Sequence, residues 1–546
     1  MEGAPVTHST HLEALFPDQE SIPELIRLPG FIKQTEFLAD GHLREWDGPF
    51  QNVESPLLVR TATGLARTVI GQAPRMTAEA SLTVLEAAVR AYGSGRGAWP
   101  TMSVSERIGC VGRFAGMMRD RKRDIVRLLV WEIAKTVPDA EKELDRTLQY
   151  IDDTIDALKD LDRAGSRFTI TDGIIAQIRR APLGVALCLG PYNYPLNETF
   201  TILIPALIMG NTIVCKPAKL GVLLHRPLLE AYRDAFPPGV VNTVYGDGET
   251  IIGPLMDSGK IDVLGFIGST KVADTLKDRH PQPHRLRSIL GLGAKNPAIL
   301  LPDADVELAV RECVQGSLSY NGQRCTGLKI LFVHRAVIDQ FLSRFATAVE
   351  QLRLGMPWED RVTITPLPVP GKPGYLTELV DDAVRHGARV VNDRGGTSCE
   401  TMFTPAILSP VTPEMRLYHE EQFGPVVPVV PFDDLRVPIE WVEKSRYGQQ
   451  VSIFGTDPAH LAELIDPLVN QVCRVNINSQ CQRGPDAFPF TGRKDSAEGT
   501  LSVSDALRAF SIRTLVATKE CDANRSILSA IVRERRSNFL STDFIF

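Results

Sequence analysis

One cysteine of this sequence has the surroundings of a nucleophile. Cys325 lies in the segment NGQRCT, residues 321–326, between a stretch with helical spacing and an apolar, strand-like run. A thiolate can attack a carbonyl carbon, and an exposed thiol beside positive charge has a lowered pKa. We therefore expect Cys325 to act as a covalent nucleophile, with Arg324 lowering the pKa of an exposed thiol. An isolated cysteine is more often inert packing, so this interpretation depends on the other motifs of the chain.

The elements around Cys325 follow an alternating pattern of strands and helices. From Pro182 onward, short apolar runs such as VALCL and TIVCK alternate with stretches that have helical spacing. This alternation predicts a parallel sheet with helices on both faces. Upstream, residues 78–92 and 103–134 have helical spacing, whereas residues 167–180 alternate apolar and polar positions as a pair of strands does. The sequence therefore predicts an α/β protein with a helical region and a β-arm.

Composition narrows the class of protein further. The chain has 546 residues, a formal net charge of −6 and 43% hydrophobic residues. This length predicts several domains, and the absence of a basic block argues against nucleic acid as a partner. The nine cysteines lack C-x-x-C spacing, so we expect reduced thiols and no metal site. Because we find neither an export signal nor an apolar stretch of about 18 residues, we expect a cytoplasmic protein without a membrane span.

Six further motifs occur in a fixed order around Cys325. They read GPYNYP at 190–195, CKPAK at 215–219, GDG at 246–248, FIGS at 266–269, GLGAKNP at 291–297 and EQFGPV at 421–426. This set resembles the motifs of the aldehyde dehydrogenase superfamily, and the resemblance extends from about residue 55 to residue 518. It implies an oxidoreductase in which Cys325 forms a covalent adduct with an aldehyde and a nicotinamide dinucleotide accepts hydride.

The resemblance implies a catalytic role for Asn193 in the loop GPYNYP. In the family, this asparagine donates a hydrogen bond to the oxygen that becomes negative when the cysteine attacks. Asn193 and the backbone N–H of Cys325 would together stabilise that oxyanion by roughly 3–4 kcal/mol. We therefore expect these two donors to form the oxyanion site.

The motif CKPAK resembles the family's K-P-S-E segment, in which the lysine contacts the adenosine ribose. Lys216 corresponds to that lysine. In NAD enzymes a glutamate at the fourth position pairs with the ribose 2′-hydroxyl, but this chain has Lys219, which would attract a 2′-phosphate. The expected cofactor is therefore NADP, with NAD as the alternative.

The resemblance places four more residues at the cofactor. Gly248 and Ser269 match the glycine-rich and F-T-G-S elements around the pyrophosphate, although Ser269 could equally be a helix N-cap. Glu421 matches the glutamate that holds the nicotinamide ribose, and Phe423 belongs to the same motif. We expect all four to line the dinucleotide site.

Several short sequence motifs are similar to those of the non-phosphorylating, NADP-dependent glyceraldehyde-3-phosphate dehydrogenases of this superfamily. They are EIAK at 132–135, ITP at 364–366, NINS at 476–479 and QRGPDAFPF at 482–490. In that group, arginines and a tyrosine bind the substrate phosphate, and the matching residues here are Arg146, Tyr194, Arg324 and Arg483. Guanidinium groups suit this role because they bind phosphate in a bidentate way. The resemblance implies oxidation of glyceraldehyde 3-phosphate to 3-phosphoglycerate through a thiohemiacetal and a thioester.

The sequence departs from the family at the general base. The segment GLGAKNP matches E-L-G-G-K-N-P, so Gly291 replaces the glutamate that activates water for hydrolysis of the thioester. General-base catalysis is worth roughly 10²–10⁴-fold, and hydride transfer could survive without it. Three alternatives stay open: hydrolysis with another base or a slower water, acyl transfer to coenzyme A, or a degenerate protein that binds a dinucleotide or a partner. The intact cysteine, asparagine, lysine and arginines argue against the third.

The resemblance also implies an aldehyde dehydrogenase fold, with a Rossmann-like cofactor domain, a catalytic α/β domain and a bridging β-arm. The expected division is an N-terminal extension at 1–54, a dinucleotide-binding domain at 55–164 and 182–290, a catalytic domain at 291–501, an oligomerisation arm at 165–181 and 502–520, and a C-terminal tail at 521–546. The first arm segment should pair with a strand near residues 509–518. Exposed arm edges usually find a partner subunit, so a homodimer or homotetramer is expected.

Overall fold

A six-stranded sheet forms one half of the body of the protein, whose computed structural model describes residues 8–543 and residue 545. Its strands lie in the order Val241–Thr243, Thr212–Lys216, Val185–Leu189, Val263–Ile267, Arg287–Gly291 and Ala497–Glu498. The first five strands are parallel and the last is antiparallel to its neighbour. The five runs are parallel because helices such as Asn197–Ile208 return the chain between them.

The order of these strands defines where a ligand can bind. The chain moves from Val185–Leu189 to one side of the sheet and then returns to Val263–Ile267 on the other side. Neighbouring strands that lead in opposite directions leave a crevice at their carboxyl ends. The loop that carries Asn193 follows the first of these strands, and Gly268 and Ser269 follow the second. The predicted oxyanion and pyrophosphate segments therefore lie at the topological switch point.

A seven-stranded sheet forms the other half of the body. Its strands lie in the order Arg389–Val390, Ala406–Ser409, Val426–Phe432, Leu328–His334, Asn296–Leu300, Gln450–Phe454 and Arg474–Ile477. Only the first pair is antiparallel. The helices that connect or flank these strands are Val306–Leu318, Arg335–Glu350, Lys372–Arg385, Arg416–His419, Arg436–Lys444 and Pro458–Leu468. The predicted parallel sheets with helices on their faces are thus present.

The helical region that the sequence predicts is present, and it is divided into separate helices. Residues 103–134, which have helical spacing in the sequence, form two helices, Val104–Asp120 and Lys122–Ile133, separated at Arg121. The next helix, Val137–Gly165, has 29 residues and begins with a Thr136 cap that accepts a hydrogen bond from Asp139 N. The remaining helices on this side of the molecule are Ala78–Tyr92, Ala98–Thr101, Leu229–Ala235, Gly248–Asp257 and Thr270–Arg279.

Three antiparallel strands form the arm. Phe168–Thr171 and Ile174–Pro182 make a hairpin, and Ser511–Lys519 pairs along the whole outer length of the second strand. The predicted pairing is confirmed, but residue 509 ends the short helix Val503–Ala509 instead of beginning the strand. Apolar side chains on the arm are exposed, namely Ile170, Ile174, Ile512, Leu515 and Val516.

Both ends of the described chain extend beyond the two large sheets. In the N-terminal segment, Phe16, Ile22 and Ile26 are buried in the main hydrophobic core. Residues 32–74 form the short strands Ile32–Lys33, Glu36–Ala39 and His42–Glu45 and the two longer strands Phe50–Thr61 and Gly64–Pro74. At the other end, the helix Asp522–Arg533 has no buried residue. No described helix is long and apolar enough to cross a membrane, and no group of three potential metal ligands occurs among the described residues.

Candidate active site

Cys325 lies directly after a strained turn between a helix and a strand. The helix Val306–Leu318 ends, and the next residues form a 3₁₀ turn in which Tyr320 and Asn321 have φ of 49° and 55°. Non-glycine residues rarely adopt this left-handed conformation, and surrounding contacts must hold it. The Tyr320 hydroxyl donates to Ile133 O at 3.1 Å, and the Asn321 side chain bonds both the N–H and the C=O of Thr365. These bonds fix the backbone that presents the thiol.

Gly322 completes the turn and has no substitute. Its φ is +69°, and a Cβ there would lie 2.6 Å from the carbonyl oxygen of Gly424 and 2.8 Å from that of Ser317. The Gly322 carbonyl accepts a hydrogen bond from Lys329 Nζ at 2.6 Å. The glycine of the segment NGQRCT is therefore needed both for its conformation and for the close approach of the 424 backbone.

The thiol opens into a cavity of about 390 Å³. Among the residues that line this cavity are Cys325 and all four residues predicted to bind phosphate, namely Arg146, Tyr194, Arg324 and Arg483. Arg324 is the neighbour of Cys325 in the chain, and the other three residues come from three further segments. A cleft that joins a thiol to several guanidinium groups can hold a small anionic molecule against the sulfur.

The electrostatic state of Cys325 differs from the expectation. The side chain is only partly exposed, and its pKa is raised to about 11, first by burial and then by the charge of Glu198, while Arg483 and Lys329 lower it. Arg324 is not one of the groups with the largest effects on this pKa. The expected low pKa of an exposed thiol is therefore wrong for the protein without ligands, in which the sulfur carries its proton.

This pKa predicts slow alkylation of the thiol. With a pKa about 3 units above pH 8, roughly 0.1% of Cys325 is ionised, against about a quarter of an ordinary cysteine. The rate of carboxamidomethylation by iodoacetamide should rise about tenfold per pH unit between pH 7 and 10, followed peptide by peptide with mass spectrometry. The exposed Cys521 provides a reference in the same digest. A rate at Cys325 that levels off below pH 9 would show an ionised thiol and contradict this assignment.

Asn193 is held beside the nucleophile turn. Its Nδ2 donates to Gln323 O at 2.8 Å, two residues before Cys325 in the chain. An amide nitrogen carries two hydrogens, so this bond orients the side chain and leaves one donor for another acceptor. The neighbouring Tyr192 hydroxyl contacts Gln323 Oε1 at 3.2 Å, which ties the two loops together a second time.

A buried ion pair supports the loop that carries Asn193. Lys135 and Glu143 are in direct contact and fully buried, and Lys135 Nζ also donates to Asn193 O at 3.0 Å. Glu143 Oε1 accepts hydrogen bonds from the N–H groups of Leu196 and Asn197 at 3.0 and 3.1 Å. Because each charge has several partners, the pair can fix the loop despite its desolvation cost. The lysine of the EIAK motif is thus a positioning residue for the oxyanion loop.

Two of the cavity arginines are already paired with carboxylates. Arg146 binds Asp486 in a bidentate manner at 2.8 and 3.0 Å. Arg483 is buried, donates to Asp486 Oδ1 at 3.1 Å and is in direct contact with Glu198. The motif RGPD therefore supplies both an arginine and the acid that orients two arginines. An incoming phosphate would share these guanidinium groups with the acids.

Arg324 has only neutral hydrogen-bond partners. Its guanidinium contacts the hydroxyl groups of Ser319 and Thr326, the Gln480 side-chain oxygen, and the backbone carbonyls of Gln315 and Cys481. Since no described carboxylate forms a salt bridge with it, its positive charge is uncompensated within the cavity. Arg324 is accordingly the strongest anion-binding group of the four.

Glu421 and Phe423 lie on the other side of the nucleophile turn. Glu421 Oε2 accepts a hydrogen bond from Ala294 N at 3.3 Å, and Oε1 lies 3.9 Å from Lys329 Nζ. Burial raises the pKa of Glu421, whereas Lys329 lowers it. The Phe423 ring lies 4.6 Å from Lys329 Nζ and meets the Tyr192 ring edge-on at 6.1 Å.

One oxygen of Glu421 fits the role that the sequence predicts for it. Glu421 Oε1 is buried and accepts no hydrogen bond from any residue that the structure describes. A buried acceptor without a donor costs free energy, and a ribose hydroxyl group would supply the donor. The geometry is therefore suited to a nicotinamide ribose at this position.

The two cofactor lysines lie near each other at the end of strand Thr212–Lys216. Lys216 is half-buried, and its pKa is lowered to about 8 by burial and by Lys219, while Asp247 raises it. Lys219 is exposed and lines a groove between residues 51–56 and 367–374. The structure thus places a free cation beside the predicted ribose-binding lysine, where a 2′-phosphate could meet it.

Glu132 holds the loop that follows Lys219. Its carboxylate accepts hydrogen bonds from the backbone N–H groups of Gly221, Leu223 and Leu224 at 2.8–3.1 Å. Burial raises the pKa of Glu132 to about 7, although these N–H groups lower it. The chain then forms a 3₁₀ segment, Leu223–Leu228, before the α-helix Leu229–Ala235, because Pro227 interrupts the regular hydrogen bonding.

Gly248 and Ser269 each lie at the start of a helix. Gly248 is the first residue of Gly248–Asp257, and a Cβ there would meet nothing within 4 Å. Ser269 is the N-cap of Thr270–Arg279, and its Oγ accepts a hydrogen bond from Val272 N at 3.4 Å. Both helix starts can present N–H groups to phosphate. The alternative role of Ser269 as a cap is therefore present in the structure.

Gly291 ends a strand of the six-stranded sheet. It pairs with Ile267 and Ala497, and its carbonyl accepts a hydrogen bond from Gly268 N at 3.0 Å. A Cβ built there would lie 3.2 Å from Ile267 Cγ1 and 3.5 Å from Leu501 Cδ1. The position could hold a side chain after a small shift, but this chain places none there.

Three charged or polar side chains near the site have no counterpart in the sequence analysis. Glu198 and Asn197 line the cavity with Cys325, and both amide atoms of Asn197 are buried without a hydrogen-bond partner. Lys372 lies near Lys329 and Glu421, and burial lowers its pKa to about 8. Asn197 and Glu198 are polar residues at the start of an otherwise apolar helix. This contrast in the sequence could have indicated that these two side chains have a function.

Known proteins are similar to this chain in sequence. The profile of the aldehyde dehydrogenase family matches residues 58–516. The NADP-dependent glyceraldehyde-3-phosphate dehydrogenase of Streptococcus equinus is 35% identical over 420 residues, which are 76% of this chain and 86% of the relative. Malonate-semialdehyde dehydrogenase 1 of Geobacillus kaustophilus is 27% identical over 445 residues, which are 80% of this chain and 88% of that protein.

Solved structures show the same fold. The crystal structure of NADP-dependent glyceraldehyde-3-phosphate dehydrogenase from Bacillus halodurans C-125, complexed with NADP, has 31% sequence identity and a TM-score of 0.81. The match covers 89% of this chain and 100% of that chain. The lactaldehyde dehydrogenase structure from Escherichia coli has 27% identity and a TM-score of 0.80, over 89% of this chain and 100% of that one. With most of its length matched by the profile, the chain belongs to the aldehyde dehydrogenase family.

Proposed function

We propose that this protein oxidises a small phosphorylated aldehyde, glyceraldehyde 3-phosphate, to the corresponding acid with NADP⁺. The observation that carries the proposal is the cavity that joins the Cys325 thiol to Arg146, Tyr194, Arg324 and Arg483. The names of the Streptococcus and Bacillus relatives support the same substrate and cofactor. Lys219, a cation where NAD enzymes of the family carry an acid, supports NADP independently.

Each residue has a chemical task in this proposal. Cys325 attacks the aldehyde carbon, and Asn193 Nδ2 with the Cys325 N–H stabilises the negative oxygen. When bound, NADP⁺ accepts the hydride that converts the thiohemiacetal into a thioester. Arg324 holds the phosphate, and Glu421 orients the nicotinamide ribose through the oxygen that accepts no other hydrogen bond. Because the thiol has a pKa near 11, attack requires loss of its proton as substrate and cofactor bind.

A rapid-mixing experiment tests the proposal. Enzyme mixed with NADP⁺ and glyceraldehyde 3-phosphate should form up to one NADPH per Cys325 in a first phase, followed by slower turnover. The first phase reports thioester formation and does not require hydrolysis. If neither phase forms NADPH, the substrate assignment is wrong, and repeating the assay with malonate semialdehyde and lactaldehyde would then compare the substrate classes of other relatives.

Coenzyme A separates the two ways of resolving the thioester. In the preferred alternative, water resolves it, so turnover is indifferent to coenzyme A and the product is 3-phosphoglycerate. In the other alternative, the thiol of coenzyme A attacks the thioester, so steady turnover accelerates and acyl-coenzyme A accumulates. Chromatography of the products distinguishes these outcomes. An enzyme without any NADPH formation but with measurable NADP binding would support the degenerate binding protein.

Changing Lys219 to glutamate should move the cofactor preference towards NAD. The added carboxylate would repel the 2′-phosphate and could pair with a 2′-hydroxyl group, so we expect the ratio of kcat/KM for NADP⁺ over NAD⁺ to fall at least about tenfold, roughly 1.4 kcal/mol. Steady-state kinetics with both cofactors measures this ratio. Lys444→Glu reverses the charge of an exposed lysine that lines a different cavity and should leave the ratio unchanged. An unchanged ratio in Lys219→Glu would refute the assignment of this residue.

The arm supports a homodimer or homotetramer. Leu515 and Ile512 are about half exposed, and Ile170 and Val516 add to the apolar surface of the arm. Exposed strand edges with apolar side chains tend to pair with another chain. Light scattering coupled to size-exclusion chromatography should therefore give two or four times the chain mass of 60.1 kDa. Leu515→Lys should shift the protein towards smaller species.

A further inference from the structure

Hydrolysis of the Cys325 thioester needs a group that accepts a proton from water. Gly291 cannot do this, and the space beside its Cα faces Ile267 and Leu501. If the proposed function is correct, either a slow uncatalysed attack or another carboxylate must resolve the intermediate. The carboxylates around the cavity can be compared by the hydrogen bonds that each one already makes.

Glu143 in the cavity and Asp486 behind its arginines are fully engaged elsewhere, and Asp139 lies at a helix cap. Both oxygens of Glu143 bind partners, namely Lys135 on one side and the N–H groups of Leu196 and Asn197 on the other. Both oxygens of Asp486 bind arginines. Asp139 lies in the first turn of the long helix, where Thr136 donates to its Oδ2 at 2.9 Å.

Glu198 differs from these three acids. It lines the cavity with Cys325, and its Oε2 is in direct contact with the buried guanidinium of Arg483. Its Oε1 accepts no hydrogen bond from any residue that the structure describes, so this oxygen is available to a water molecule. Glu198 is also the charged group with the largest effect on Cys325, ahead of Arg483 and Glu421. The carboxylate and the sulfur therefore face the same cavity, where one water molecule can lie between them.

We propose that the Glu198 carboxylate accepts the proton of the water that hydrolyses the Cys325 thioester, in place of the glutamate missing at Gly291. The water oxygen forms a bond to the acyl carbon while its proton moves to Glu198 Oε1. The carbon–sulfur bond then breaks, the acid leaves, and the cysteine sulfur recovers a proton from Glu198. One water is consumed, no electron is transferred, and the enzyme returns to its initial state.

The contact with Arg483 gives Glu198 its position. Arg483 is anchored by Asp486 at 3.1 Å, by the Leu501 carbonyl at 3.2 Å and by stacking on Phe490 at 4.5 Å. A carboxylate held by an anchored guanidinium at one oxygen presents its second oxygen in a fixed direction. Because Arg324 holds the phosphate in the proposed function, the contact between Arg483 and Glu198 can persist when the cavity is filled.

The variant Glu198→Gln tests the assignment, because it keeps the shape of the side chain and removes its basicity. We expect the first phase of NADPH formation to persist, while steady turnover with glyceraldehyde 3-phosphate falls about 100-fold or more. Hydroxylamine, which attacks thioesters without a carboxylate base, should restore turnover. The variant Glu198→Asp should retain part of the activity. Asp139→Asn, a matched change at another acid of the same cavity, should leave the ratio of the two phases unchanged.

A rescue variant makes the test specific. Adding Gly291→Glu to Glu198→Gln restores a carboxylate at the family position, where a Cβ needs Ile267 to move by only a few tenths of an ångström. We expect the double variant to recover at least about tenfold of the lost turnover. A purely structural role for Glu198 predicts no recovery from a residue on a different strand.

An ester assay separates this proposal from the choice of aldehyde. p-Nitrophenyl acetate acylates a cysteine without cofactor or aldehyde, so a stoichiometric release of nitrophenol followed by steady hydrolysis reports the same two steps. Glu198→Gln should keep the first release and lose the steady rate. Unchanged steady rates in Glu198→Gln, or loss of both phases together, would overturn the role of Glu198. Absence of NADPH formation in the unmodified enzyme would refute the aldehyde and leave the ester assay to decide on Glu198.

Discussion

Replacing Cys325 by alanine is expected to abolish both phases of NADPH formation, by about 10⁴-fold or more in turnover. Without the sulfur no thiohemiacetal forms, and the aldehyde carbon does not acquire the tetrahedral geometry from which hydride leaves. A free aldehyde hydrate could donate a hydride, but it has no covalent bond that fixes its position. Rapid mixing with NADP⁺ and glyceraldehyde 3-phosphate measures the loss directly.

The control for this variant is Cys521→Ser, a change at an exposed cysteine of the C-terminal region. It should leave both phases unchanged, which excludes a general sensitivity to loss of a thiol. Cofactor binding, measured by quenching of protein fluorescence, should also survive in Cys325→Ala. A first phase of normal amplitude in Cys325→Ala would show that another residue is the nucleophile, and the mechanism would have to be abandoned.

Replacing Asn193 by alanine should slow the first phase by about 10²–10³-fold, because one oxyanion donor contributes roughly 3–4 kcal/mol. The amide donates to Gln323 O in the resting structure, and its second hydrogen is available to the substrate oxygen. The loss should appear in the rate of the first phase and not in its final amplitude. Stopped-flow absorbance at 340 nm measures both the rate and the amplitude of this phase.

A structural effect of Asn193→Ala has a separate signature. The lost hydrogen bond to Gln323 is worth about 1 kcal/mol of unfolding free energy, and Lys135 and Glu143 still anchor the loop through its backbone. The melting temperature should therefore fall by only a few degrees. A first phase at the rate of the unmodified enzyme would remove Asn193 from the oxyanion site.

The parallel sheets could be predicted from the sequence because their strands are short, apolar and separated by helical patterns. Each predicted strand between residues 185 and 300 is present in the six- or seven-stranded sheet. Helix ends were harder to predict, since the break at Arg121 and the 3₁₀ start at Leu223 depend on tertiary contacts and on Pro227. The packing of residues 11–50 was missed because their buried side chains are scattered and follow no period.

The sequence predicted which residues form the site, but it did not predict the pKa of Cys325. Motif resemblance identified Cys325 and the four phosphate-binding candidates, and the fold brings them to one cavity. The raised pKa of Cys325 could not be read from Arg324 in the sequence, because it depends on burial and on Glu198 from another segment. Contacts between charged residues that are distant in sequence cannot be predicted from the residues next to each one in the chain.

The segment Glu132–Lys135 joins three loops that would otherwise be independent. Glu132 holds the backbone after Lys219, the Ile133 carbonyl receives the Tyr320 hydroxyl, and Lys135 binds the carbonyl of Asn193. This short segment thereby fixes the relative positions of the loop after Lys219, the turn before Cys325 and the loop that carries Asn193. Inserting or deleting a single residue here would misalign all three at once, so this helix end should tolerate changes of length far less well than the surface around it.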